Sequence, residues 1–574
     1  MRRMKGAAGL LTALLLAFQL SAQTFALANE DNGIKVVPVN FTHNGYSYEI
    51  EGVAKSTDGD YQIKSPARLA ARKLPSTYDP RSSGEITTVK DQASTGACWA
   101  FSALACAEQD LIKKGLENPS AEFSVPALVL SSNSGTATGK DDFSSGGNWL
   151  FAASALANGQ GLCYEDYEPF LESGTGNMIV SENKKSVSEY RLNYVMELSS
   201  TTQVKRKIME LGAVSASYFA GNGYMNHNNT AYYDPDASKN TIINHSVTVV
   251  GWDDNYSKDN FRYKPANNGA WLVKGSWGAD QDNDGFYWVS YDEAEFGQFC
   301  CYDFEESCDN TYHYSKMTGY VVNASNDGSV YGANVFTAKA DEKLDKAGFM
   351  YVGKTGCADY TLSVYTDVSD IDPIGVLETQ ISGLVSANGF YTVDFPEDIL
   401  LEEGEKYSIS VKFSGDSGRG YLLAESDRTS KAQSGQSYVS LNGKYWSDVG
   451  ADKTDSIGSL FIYAYTDDTA KPDKSSLETT LAKYGTLAGC EREANNARTV
   501  LADENASKND ISNAQKLLIS AAEEQDEALV ITTEAQWESF AKRVSSGESF
   551  EGKLVTLEAD LDFDGKTISP VGDS

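Results

Sequence analysis

The sequence predicts a multidomain chain: an α+β domain with a helical half and a strand-rich half, then an all-β sandwich, then a helical hairpin and the start of a β-rich repeat. Three observations predict it. A helical pattern opens at Cys98, where Phe101, Leu104, Ala107, Leu111 and Ile112 recur at helical spacing and Gly115 is placed as a stop. Strand runs follow at 246–252, 270–274 and 286–291. From about 310 to 465 the texture changes to short alternating strands with Gly and Asp turns; Tyr407, Ile409, Val411 and Phe413 fall on one face. A length of 574 residues accommodates several domains.

Taken in order, the chain begins with Arg2, Arg3 and Lys5 ahead of an apolar run at 7–20, and Ala26-Leu27-Ala28 has the small-x-small form of a signal-peptidase site. The run is too short to span a membrane comfortably, and no later segment is long and apolar enough. Residues 1–28 therefore read as a secretory signal, and the mature protein as secreted or extracellular, with an association to the cell surface. Residues 29–73, a pro-segment or extension, carry short alternating pieces such as Y-S-Y-E-I at 46–50.

The chemistry centres on residues 92–102, Q-A-S-T-G-A-C-W-A-F-S. A cysteine at a helix N-terminus meets the positive end of the helix dipole, which favours thiolate over thiol. Cys98 is thus expected to be a low-pKa nucleophile. Gln92 lies six residues earlier, where its side-chain amide could fold back and donate to a developing oxyanion. The plain alternative for one cysteine is a small buried hydrophobe on a core helix.

Several ordered motifs lift Cys98 out of that alternative. L-P-S-T-Y-D-P-R at 74–81 and V-K-D-Q at 89–92 lead into C-W-A-F-S, and S-G-G-N follows at 145–148. Then come G-A-V-S-A-S at 212–217, N-H-S-V-T-V-V-G-W at 244–252 and W-L-V-K-G-S-W-G at 271–278. Together these resemble the papain family of cysteine peptidases, and His245 follows Cys98 by 147 residues, within the roughly 130–150 of that family.

The resemblance implies a peptidase domain over 74–306, with the cysteine on a helical half and the histidine on a β-barrel-like half. It implies Cys98 as nucleophile, His245 as the proton carrier, and Gln92 with the Cys98 backbone N–H as the oxyanion hole. Gly146 and Gly147 would line the substrate cleft with bare backbone, beside Trp277. The family places an orienting Asn where this chain has Gly275, and the next tryptophan of that loop is replaced by Gln281. An Asn at 275 is therefore expected to raise kcat with little change in KM.

Composition sets outer limits. With 48 basic and 81 acidic residues the net charge is −33, so phosphate backbones and anionic lipid are poor partners. Eight cysteines in an exported chain invite disulfides. Thr95 stands where many family members carry a disulfide cysteine, so that bridge is absent here. Cys300, Cys301 and Cys308 cluster without a histidine at zinc-finger spacing. The D-x-D-x-D-G strings at Asp280 and Asp560 carry Tyr291 and Val571 where a calcium loop needs Glu. No metal or cofactor is expected.

Residues 310–465 resemble the lectin-like domains that accompany secreted bacterial peptidases, which implies a carbohydrate ligand and a unit that folds independently of 74–306. K-P-D-K at 471–474 reads as a linker. Two helical patterns, at 477–501 and 510–529, predict an αα-hairpin over 473–530. Residues 532–574 resemble the opening of a surface-protein repeat, with any wall anchor expected beyond it. The function expected is hydrolysis of peptide bonds in a peptide or protein substrate. The two other readings are a papain-fold protein that binds peptides or glycans without cutting, and a thioester-forming transpeptidase.

Overall fold

The computed structural model describes residues 74–531 apart from 133–142, 144–145, 166–188, 222, 238–242, 280–283, 317–319, 325–327, 370–371, 427–431, 452–456, 471, 488, 504–505 and 507. Outside that stretch it describes short strands between 34 and 56 and a few residues between 537 and 557. The expected signal segment lies outside the described residues. In the segment that follows it, Pro38–His43 pairs antiparallel with Tyr46–Glu51.

The first unit, Met1–Ala470, is built on one long sheet. Its helical part contains α1 (Cys98–Lys114), α2 (Val125–Ser131) and α3 (Trp149–Ala157), with α4 (Thr201–Leu211) further along. Each start and stop has a local cause. Gly115 closes α1 in the left-handed region at φ 73°, and Asn148 caps α3 by accepting from the amides of Leu150 and Phe151. α1 is buried on nearly every side from Cys98 to Leu111, so it is a core helix and not a surface one.

The strands follow as β1 (Tyr190–Leu198), β2 (Val214–Tyr218), β3 (His245–Asp253), β4 (Ala270–Lys274), β5 (Phe286–Ser290), β6 (Gly297–Glu306) and β7 (Asn310–Tyr312). Next come β8 (Ser329–Thr337), β9 (Glu342–Tyr351), β10 (Ala358–Thr366), β11 (Val376–Val385), β12 (Gly389–Leu401), β13 (Lys406–Ser414), β14 (Ser437–Ser440) and β15 (Ile462–Asp468). The long sheet runs β7-β15-β9-β12-β1-β6-β2-β3-β4-β5 and ends on Ala231–Tyr232. A second, six-stranded sheet begins β11-β10-β13-β8-β14.

The sandwich is therefore made of the six-stranded sheet packed on the β7-β15-β9-β12 end of the long sheet. Tyr407, Ile409, Val411 and Phe413 all point into the core between them, none more than 1% exposed, as the alternation predicts. Independent folding of 310–465 is not what the structure shows. β12 pairs directly with β1 at Gly389↔Met196 and Phe390↔Val195. Phe390, Met350, Tyr463 and Tyr465 share a buried cluster with Val195, Leu156, Cys300 and Tyr302. Alternation reveals which face of a strand is apolar but not which strand lies beside it, so this junction was hidden in the sequence.

In the second unit, Lys471–Ser574, the described residues of 473–530 form three helices where the sequence predicted a hairpin of two: Ser475–Tyr484, Glu491–Ala502 and Lys508–Glu527. The break falls between Gly485 and Gly489, the latter at φ 87°, a left-handed turn that a continuous helix cannot contain. Ala528–Ile531 pairs parallel with Leu554–Leu557; most of the predicted repeat lies outside the described residues. Cys106, Cys300 and Cys301 are buried free thiols that act as small hydrophobes and not as staples.

Candidate active site

Three chain segments meet at the start of α1. Cys98 is the first helical residue and is 2% exposed. Ser102, one turn on, donates to the Val247 carbonyl at 2.7 Å and bonds Ser215 Oγ at 2.8 Å, which fastens the helix to β3 and β2. Residues 90–92 are zipped to 276–278. The Gln92 amide donates to the Ser276 carbonyl at 2.7 Å, the Gly278 amide donates to the Lys90 carbonyl, and Asp91 forms a bridge with Trp277.

The Gln92 side chain is oriented from both ends. Its Oε1 accepts from Ser276 Oγ at 2.6 Å, and its Nε2 donates one hydrogen to the Thr95 carbonyl at 2.7 Å. Thr95, expected only as a missing disulfide partner, thus closes the turn that aims this amide. Ser276 was not singled out in the sequence; its position next to Trp277 is the one signal for it.

His245 opens β3 and is 2% exposed. Asn244 sets the approach: its backbone amide donates to the Tyr218 carbonyl, and its side chain bonds both polar groups of the Ala220 backbone. The imidazole lies flat on the Trp277 indole, with centroids 4.3 Å apart and planes 7° from parallel. Val247, two residues on, accepts from Ser102 of α1 at 2.7 Å, so the start of β3 lies against the helix that Cys98 opens.

Burial pushes the Cys98 thiol up to about 11, against the opposing pull of the polar groups of Ser246. This corrects the expectation of a low-pKa sulfur. The helix start favours negative charge, but in a fully desolvated position that field is outweighed.

Gly146 and Gly147 sit just before α3 and are buried. Gly146 has φ 71°. A Cβ on Gly147 would lie 2.5 Å from the Trp99 indole, so the segment is packed against the residue that follows the cysteine. Gly275 continues β4; a Cβ there would lie 3.2 Å from the Gly285 carbonyl and 3.3 Å from the Tyr287 ring. A side chain at 275 therefore requires these neighbours to give by a few tenths of an ångström, and their yielding decides whether Asn there improves the site or strains it.

Residues 74–320 match the family model for papain family cysteine proteases, and residues 311–466 match that for a lectin like domain. The chain carries a papain-family peptidase domain followed by a lectin-like domain. Cathepsin S of Bos taurus is 29% identical over 218 residues, 38% of this chain and 60% of that protein. Procathepsin L of Felis catus is 28% identical over 224 residues, covering 38% of this chain and 62% of that one. The chain thus spans about three fifths of the length of these curated relatives. A clostridial cysteine protease, Cwp84, solved after propeptide cleavage, is similar in structure at a TM-score of 0.59 and 28% identity, covering 68% of this chain and 99% of that one. The cysteine protease and lectin-like domains of Cwp84, a surface layer associated protein of Clostridium difficile, match at a TM-score of 0.59 and 26% identity over 71% and 91% of the two chains.

Proposed function

We propose that the protein is an exported cysteine endopeptidase that hydrolyses peptide bonds through Cys98 and His245. The observation that carries this reading is the convergence of α1 and β3: Ser102, one turn after Cys98, is bonded to the Val247 carbonyl while His245, two residues before it, is held against Trp277. In the reaction His245 takes the thiol proton and the sulfur attacks the scissile carbonyl. Gln92 Nε2 and the Cys98 amide receive the developing oxyanion. The C–N bond breaks as His245 gives its proton to the leaving amine, which leaves an acyl thioester on Cys98. Water then attacks the thioester with its proton going to His245, the acid departs, and the proton returns to sulfur.

The substrate cleft is assigned to Gly146, Gly147 and Trp277, the glycines packed by the Trp99 indole that follows Cys98 and the tryptophan stacked on His245. The lectin-like segment is assigned a carbohydrate ligand, which would hold the enzyme at a cell surface. The decisive experiment is labelling of the purified protein with a thiol-directed epoxysuccinyl peptide, with the labelled residue mapped. Modification at Cys98 with loss of peptide hydrolysis supports the reading. Peptide binding without labelling or turnover would replace it with a binding protein, and an amine acceptor joined to the products with a transpeptidase.

A further inference from the structure

The ring of Tyr287 occupies the space beside Gly275. Tyr287 lies opposite Val273 across β5 and β4, and its Cε1 is 3.3 Å from where a Gly275 Cβ would stand. Its hydroxyl shares a 2.8 Å hydrogen bond with the hydroxyl of Tyr218. Both side chains are buried, at 4% and 1% exposed. Tyr218 in turn is the register partner of His245 across β2 and β3, and its ring meets the imidazole at 5.9 Å and 62°.

Tyr218 is not loose in this position. Tyr232 meets it edge-on at 5.0 Å and Phe296 at 5.6 Å, while Tyr287 fixes its hydroxyl. A row of locked rings therefore ends on one side of His245, and the Trp277 indole covers its face. Aromatic pairs at such distances prefer defined mutual angles, so a ring flanked this way resists rotation about its Cβ–Cγ bond. Burial of both phenols pushes their pKa values up, which keeps the hydroxyls neutral and their shared hydrogen bond intact.

We propose that Tyr287 and Tyr218 are positioning residues for His245, supplying through packed rings locked by their shared hydroxyl bond the orientation that an amide side chain at 275 supplies in the papain family. This rests on the peptidase reading above. Neither tyrosine touches the reacting atoms; each acts through the imidazole.

The test uses the full chain and reads the rate of Cys98 alkylation by iodoacetamide at neutral pH, mapped at that residue, beside kcat, KM and melting temperature. Tyr287→Leu should slow Cys98 alkylation and lower kcat by about 10- to 100-fold, with KM within about twofold. Gly275→Asn alone should also lower both, because its Cβ presses on Tyr287 and the Gly285 carbonyl. In the Gly275→Asn/Tyr287→Leu double variant, the amide gains the vacated space and most of the loss should be recovered. A purely structural role for Tyr287 would not give that recovery.

A folded Tyr287→Leu variant with wild-type alkylation and kcat overturns the proposal, as does a double variant no better than Tyr287→Leu. Should Tyr287→Leu fail to fold, Tyr218→Phe keeps both rings and decides the matter. A several-fold slower alkylation supports the proposal and an unchanged rate overturns it. His245→Ala separates the two levels. If it leaves neutral-pH alkylation of Cys98 unchanged, the peptidase reading fails and the proposal falls with it. If it slows alkylation while the tyrosine variants do not, the proposal alone fails.

Discussion

Asn388, in the lectin-like segment, donates from Nδ2 to Glu197 Oε2 at 3.0 Å, and its carbonyl accepts from the Glu197 backbone amide. The other oxygen of that carboxylate accepts the indole N–H of Trp149 at 3.1 Å. Trp149 is the first residue of α3, two positions after Gly147. The wall of the proposed cleft is thus braced from the neighbouring segment. A chain ending near residue 306 should therefore lose structure together with hydrolysis, since Val195, Cys300 and Tyr302 would be uncovered. Phe390→Ala should lower stability by about 3–5 kcal/mol, read by denaturant unfolding. A truncated chain that folds and cleaves peptides at the full-length rate would show that the brace is dispensable.

Cys98→Ala should abolish both epoxysuccinyl labelling and hydrolysis, while Cys106→Ala leaves both in place. Cys106 is 1% exposed, and burial pushes its thiol well above the ordinary range, so it offers no accessible thiolate. In His245→Ala, alkylation of Cys98 should rise only as the pH approaches about 11, the value burial sets for the isolated sulfur. Rapid alkylation of that variant at pH 7 would mean that another group supplies the counter-charge.

Asp110 offers a stability test with a defined sign. Burial raises its carboxyl to about 7, against the attraction of Lys114; Oδ2 accepts from the Phe304 amide, and Oδ1 has no hydrogen-bond partner. The folded chain therefore holds this proton more tightly than the unfolded one. Its contribution is fully present below about pH 4, declines as the pH rises toward 7, and changes little beyond. Asp110→Asn imitates the protonated form. Its melting temperature should gain on wild type from pH 4 to pH 8; a constant difference across that range would place the proton elsewhere.

Gly147→Ala should destabilise by about 1–3 kcal/mol, because the added methyl has no room beside the Trp99 indole. If the bare backbone here receives substrate, KM should rise more than kcat falls. An unchanged KM in the folded variant would remove Gly147 from the cleft.

The sequence made some of this legible and hid the rest for physical reasons. Cys98 and His245 stand in ordered motifs along the chain, so the pair could be proposed without coordinates. Tyr287 could not, because F-Y-W-V-S reads only as a buried strand, and its hydroxyl partner lies on β2, far away in sequence. Ser276 and Thr95 were hidden likewise: their work is to aim Gln92, and small polar residues in turns carry no distinctive pattern. The helical hairpin failed on Gly485 and Gly489, where apolar spacing continued but the backbone did not.

The pairing of β12 with β1 bears on how such a chain can be inherited. A recombination breakpoint between 306 and 310 would separate two strands that meet at Gly389↔Met196 and Phe390↔Val195, leaving each descendant with a raw hydrogen-bonding edge. Among the described residues, breakpoints ahead of residue 74 or after Ala470 cut no pairing of the long sheet. Peptidase and lectin-like segments are thus expected to travel through genomes as one cassette, with the modules on either side exchanged more freely than the two halves are from each other.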